Sequence, residues 1–174
     1  MSKNDLDAAQ PYSSTHFDVK ETTGHLIRRC QQIAVAIFLE EFQRLGLTPV
    51  QFAALSTIAR NPGLDQSALV SLIAVDRSTI GAILRGLEER DLVKRITPQH
   101  NQRVKQLFIR PAGEDLLRAT PEAGKRVDDR ILAPLAPHER QTFLQLISRL
   151  VSVNNEFSRA PVRTMRSNGD DAVL

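Results

Sequence analysis

Two sets of side chains in this sequence have types and spacings suited to chemistry, and in both cases the chemistry is binding. The first opens at Asp76 with Arg77, Ser78 and Thr79 and runs on through Gly81, Ala82 and Arg85. On a helix, Arg77, Ser78, Gly81, Ala82 and Arg85 would line one face. A guanidinium there can bond a guanine edge through two parallel hydrogen bonds, and hydroxyls and small residues suit the remaining base edges. Gly81 costs about 1 kcal/mol relative to Ala at an exposed helix position. Close approach of another molecule would account for it; a crowded neighbouring helix is the alternative. The second set is His25, Arg28 and Gln32, spaced by three and four and hence on one helix face, with Arg29 beside them. An arginine can clamp a carboxylate and a histidine can bond a ring hydroxyl or nitrogen. Phe52 would supply an aromatic wall. For each of these residues, an interface ion pair or a solvent-facing role is an equal alternative.

Other chemistries find little support. A reactive thiol needs polar activators, and Arg29, next to the lone Cys30, points elsewhere on a helix, so Cys30 is expected to be a buried structural cysteine. His16, His25, His100 and His138 make no metal-ligand spacing, and no phosphate-binding glycine loop, HExxH or nucleophile elbow is present. Neither an enzyme nor a metal or other cofactor is expected.

The first set needs two helices to position it. Asp65 caps one over Gln66–Ile73, Ala74-Val75 forms the junction, and Asp76 caps the next. This is a helix-turn-helix pattern, whose second helix can enter a DNA major groove N-terminus first. Its packed face would be Ile80, Ile83, Leu84 and Leu87, and that of the first helix Leu69, Leu72 and Ile73. Leu92–Ile96 and Val104–Ile109 then read as two strands around the polar run TPQHNQR, a hairpin wing. Lys94, Arg95 and Lys105 could take phosphates and Arg103 could enter the minor groove; an ordinary surface hairpin is the alternative. From Asp76 to Arg110, eight cations face four acids, a net +4 in a chain whose total is +3. Such a basic segment is the footprint of phosphate binding. A non-specific DNA-packaging protein would carry a stronger overall charge.

The second set needs a long helix from Thr22 or Thr23 to Leu45, ended by Gly46, with Leu26, Ile27, Ile33, Ala34, Ile37, Phe38 and Phe42 at helical spacing. Thr48 and Pro49 start the next helix, whose stripe is Phe52, Leu55 and Ile58. Pro111 opens a post-wing helix that Pro121 and Gly124 should kink or break. A last helix after Pro137 carries Phe143, Leu146, Ile147, Leu150 and Val153. The composition, 41% hydrophobic and 25% charged over 174 residues, suits one globular domain. Residues 1–21 read as a flexible arm and 158–174 as a flexible tail. One cysteine, the absence of a long apolar run and a polar N-terminus point to the cytoplasm.

Across residues 22–155 the sequence closely resembles the MarR family of winged-helix transcription regulators. The matching motifs are DRSTI entering the second helix of the pair, LEERDLVKR after it, a wing ending in Arg103, and PAGEDLL. The resemblance implies a mainly α fold with a small β-hairpin wing. The winged helix-turn-helix would span about 48–110, flanked by dimerisation helices at about 22–45 and 111–155, within a domain of 22–157. It implies a homodimer on a pseudo-palindromic double-stranded operator. It also implies repression relieved by a small aromatic carboxylate bound between the first, second and post-wing helices. A looser similarity to repressors of nicotinate catabolism narrows that effector to a hydroxylated pyridine carboxylate. Family members that sense peroxide through a first-helix cysteine make Cys30 the alternative switch. Two departures stand out. The wing tip Gln99-His100-Asn101-Gln102-Arg103 lacks the Asp and Arg richness usual in the family, so only Arg103 carries over, and Arg110 replaces a frequent Thr.

Overall fold

The computed structural model describes residues 18–99 and 104–163. Helix α1 (Thr23–Glu41) starts at Thr22, whose hydroxyl accepts from the His25 N–H, and stops short of the expected Leu45. The chain leaves the helix at Phe42, which drops into the core, and a 3-10 turn over Gln43–Leu45 leads to Gly46 at φ 61°. Helix α2 (Pro49–Arg60) opens on a reciprocal cap: the Thr48 hydroxyl accepts from the Gln51 N–H, and the Gln51 side chain accepts from the Thr48 N–H.

Helices α3 (Gln66–Ile73) and α4 (Arg77–Glu89) form the expected pair. Asp65 caps α3 by accepting from the Ala68 N–H at 2.8 Å. Asp76 holds the N-cap position of α4, but its carboxylate makes no capping bond. Strands β2 (Val93–Ile96) and β3 (Gln106–Ile109) form the hairpin, and β3 also pairs with β1 (Leu64–Asp65), giving an antiparallel sheet in the order β1-β3-β2. β1 was not anticipated, because two residues carry no readable alternation. The post-wing helix breaks into α5 (Pro111–Arg118) and α6 (Pro121–Leu132) at the Pro121 side of the expected interruption, whereas Gly124 sits inside a continuous α6. Helix α7 (Pro137–Val153) follows.

The core lies inside the winged unit. Leu55, Ile58, Leu69, Ile80, Leu84, Leu87 and Leu107 are fully buried, so α2, α3, α4 and β3 share one apolar centre. Phe42 joins it through stacking on Phe38 (3.9 Å between ring centroids) and a tilted contact with Phe52 (5.2 Å). Arg90, at the end of α4, donates to the carbonyls of Gly46 (2.6 Å) and Leu45 (2.9 Å), fastening α4 to the end of α1. By contrast, α1 and α7 contain no buried residue. Leu26, Ile27 and Ile33 on α1, and Leu144, Leu146, Leu150 and Val151 on α7, stand exposed in the single chain. None of the helices among the described residues is by itself long and apolar enough to cross a membrane.

After α7 the chain turns back toward the helix pair. The Asn155 amide donates to the Val162 carbonyl (2.9 Å) and accepts from its N–H (2.8 Å), closing a loop. The Arg163 N–H then bonds the Ser71 carbonyl at 2.9 Å, and Arg159 reaches Asp76 at 3.3 Å. Residues 158–163, read from sequence as the start of a flexible tail, are therefore a strap across the α3–α4 junction.

Candidate nucleic-acid interface

Helix α4 buries Ile80, Ile83, Leu84 and Leu87 and thereby turns its other face outward. Arg77, Ser78, Thr79, Ala82 and Arg85 are exposed on that face and Gly81 is half-buried. A Cβ on Gly81 would meet only the flexible Arg85 guanidinium, at 3.7 Å, so no neighbouring helix crowds it. The crowded-helix account of this glycine therefore drops out. Arg77 is the first residue of α4, at the positive end of its dipole.

The fold brings the start of α3 and the wing base to this face. A cleft of about 430 Å³ is lined by Asp65, Gln66, Ser67, Val70, Arg77, Ile80, Val104 and Lys105. Arg77 and Lys105, distant in sequence, thus share one rim. Gln66 and Ser67 were not among the expected contacts, since only the turn of β1 into α3 places them there. Lys94 is exposed, with its ammonium 5.9 Å from the Phe108 ring centroid. Arg103 lies outside the described residues.

Three cations of the basic segment are engaged internally. Arg95 forms a two-pronged pair with Glu88, half-buried on both sides, one prong running from Nε to Oε1 at 2.7 Å. Arg90 serves the Leu45 and Gly46 carbonyls, and Arg110 lies 2.9 Å from the Asp91 carboxylate. The surplus charge read from the sequence is real, but among the described residues it is carried outward by Arg77, Arg85, Lys94 and Lys105.

The second set is less well assembled. His25 is half-buried at the start of α1, and Arg28, Arg29 and Gln32 are exposed on it. Phe52 packs against Phe38 and Phe42. Thirteen residues of helix separate His25 from Phe38, about 20 Å at 1.5 Å per residue, so the single chain does not bring Phe52 to the His25–Arg28 group. Cys30 is exposed, not buried as expected: among the described residues nothing covers its thiol. At the far end of α1, Glu41 accepts from Arg126 (2.7 Å) and Arg130 (2.8 Å) of α6, and Arg130 also donates to Glu40 (2.7 Å). Hydrogen bonds from Arg126 and then Arg130 hold the Glu41 carboxyl below its ordinary pKa.

Comparison with known proteins places this geometry in context. The sequence model of the MarR family matches residues 45–103. The transcriptional repressor NicR of Pseudomonas putida is 30% identical over 87% of this chain and 96% of its own length. Among solved structures, the regulator PcaV of Streptomyces coelicolor in complex with its natural ligand superposes with a TM-score of 0.69 at 28% identity, over 80% of this chain and 98% of its own. The repressor CouR bound to a 23-mer DNA duplex superposes with a TM-score of 0.70 at 26% identity, over 79% and 99%. With its paired helices, its wing and a matching length, this chain belongs to the MarR family of winged-helix transcriptional regulators.

Proposed function

We propose that the protein is a homodimeric, sequence-specific repressor that acts in the cytoplasm and leaves its operator when a small aromatic carboxylate binds. The observation carrying the DNA-reading part is the exposed Arg77, Ser78, Thr79, Ala82 and Arg85 face of α4, with an uncrowded Gly81 and the Lys105 rim beside it. Side chains at the start of such a helix reach base edges, while wing and rim cations fix register on the phosphates. Arg103, which the sequence puts at the end of the wing loop, is assigned to the minor groove. The solved CouR complex, with its duplex, supports the same use of this fold. Selection of duplexes from a randomised pool tests the reading. The wild-type chain should enrich one pseudo-palindromic sequence and bind it at least a thousandfold more tightly than random DNA, on the order expected for specific readers. Equal affinity for all duplexes would reject it.

The repressor sense follows the NicR name, ligand binding follows PcaV, which is solved with its natural ligand, and the aromatic-carboxylate class rests on the side chains of α1. For the effector we assign Arg28 as the carboxylate clamp, with His25, Arg29 and Gln32 around it on α1; Phe52, packed against Phe38 and Phe42, stands apart from that group. A thermal-shift screen of benzoates and hydroxylated pyridine carboxylates should give a hit whose shift is lost in Arg28→Ala. A hit retained in that variant would move the site elsewhere. One observation favours a second switch: the Cys30 thiol is exposed in the single chain. Peroxide should then release DNA from the wild type and not from Cys30→Ser.

A further inference from the structure

We propose that the strap of residues 155–163 is part of the DNA-binding surface, with Arg159 and Arg163 taking the phosphate backbone beside the groove that α4 reads. The inference rests on the reading of α4 as the DNA-reading helix. The strap is built and fixed. Asn155 and Val162 close it through two hydrogen bonds, and the Arg163 N–H satisfies the Ser71 carbonyl, one of the last-turn acceptors that α3 leaves unpaired. Its loop therefore presents Arg159 from a held backbone, which lowers the ordering entropy lost on binding.

Charge and position then select the partner. A cleft of about 240 Å³ at the α3–α4 junction is lined in part by Asp76, Arg77, Arg159 and Arg163. Three guanidinium groups thus border one carboxylate, a surplus of two positive charges next to the first turn of α4. Asp76 does not cap α4; its carboxylate lies 3.3 Å from the Arg159 guanidinium. Unpaired, that carboxylate would repel a phosphate approaching Arg77. Arg159 offsets it, and with its side chain 89% exposed it keeps most of its five donors for a second acceptor. The junction is also where a helix-turn-helix meets the DNA backbone, since the first helix of the pair crosses it. A polyanionic backbone is the partner that fits a surplus of guanidinium groups around one carboxylate.

The test uses the full chain and the duplex enriched by the wild type, with affinity followed by fluorescence anisotropy from about 50 to about 200 mM salt. Each phosphate contact contributes about 0.9 to the slope of log affinity against log salt. Arg159→Ala should reduce the slope by about 2 for a dimer, so that wild type loses roughly tenfold more affinity than the variant over that range. Arg159→Lys should retain the slope, and the loss should persist in Asp76→Asn/Arg159→Ala. An unchanged slope in Arg159→Ala overturns the proposal. So does a loss that Asp76→Asn abolishes, which would make Arg159 a clamp for Asp76 alone. Failure of the wild type to enrich any duplex would instead sink the reading of α4 itself.

Discussion

At the scale of single residues, the basic segment divides into side chains aimed outward and side chains that brace the fold. Arg85 is exposed on the open face of α4, whereas Arg95 is tied to Glu88 through two hydrogen bonds. The two should respond oppositely to truncation. Arg85→Ala is expected to weaken operator binding by about 1–3 kcal/mol, roughly tenfold to a hundredfold, with no change in urea midpoint. Arg95→Ala should cost about 1 kcal/mol of stability, because the pair is half-shielded from solvent and geometrically fixed. Equal effects of both on DNA affinity, with no stability change, would contradict this division. Gly113 makes a different point. A Cβ there would collide with the Leu92 carbonyl oxygen and lie 2.9 Å from Ile109 Cγ1. That carbonyl already accepts from the Arg110 N–H, so the backbone has little room to yield. Gly113→Ala should destabilise by about 1–3 kcal/mol in chemical denaturation, by prying α5 from the sheet.

At the scale of elements, the question is how α1 is joined to the reader. Beside the packing of Phe38 and Phe42 on Phe52, Arg90 bonds the carbonyls that follow α1, and the Glu41 cluster ties α1 to Arg126 and Arg130 of α6. The guanidinium hydrogen bonds lower the Glu41 pKa from its ordinary 4.5. A carboxylate whose pKa is depressed by folding contributes stability above its unfolded pKa and loses it as pH falls through the folded value. Glu41→Gln should therefore melt below wild type at neutral pH, and the gap should close as the solution is acidified past 4.5. A gap that is constant across that range would show that the charge is not what joins α1 to α6.

At the scale of the whole molecule, most of the large apolar residues left exposed lie on α1 and α7, helices far apart in the chain. Ile33 on α1 and Leu150 on α7 are each about half exposed, at 49% and 51%. Exposed apolar patches of this kind mark association surfaces, and the proposed homodimer gives these an occupant. Ile33→Glu or Leu150→Glu should sediment as a monomer. Each should also lose about a hundredfold or more in operator affinity, since two linked readers bind far more tightly than either alone. A monomeric wild type would overturn the arrangement.

The sequence by itself determined the local elements and which of their faces turn inward. Asp65, Thr48 and the helix-opening prolines mark helix starts through their own hydrogen-bonding chemistry. The 3.6-residue spacing of Ile80, Ile83, Leu84 and Leu87 separates the packed face of α4 from the Arg77–Arg85 face. Such signals are short-range and survive in a linear reading. Only the tertiary structure decided what depends on contacts between distant residues. It engaged Arg90 and Arg95 with partners within the chain, paired the two residues of β1 with β3, left Cys30 exposed, and separated Phe52 from the His25–Arg28 group. It also laid Arg159 on Asp76, across 83 positions of chain. No periodicity announces such a contact, because its partners meet only once the core between them has formed.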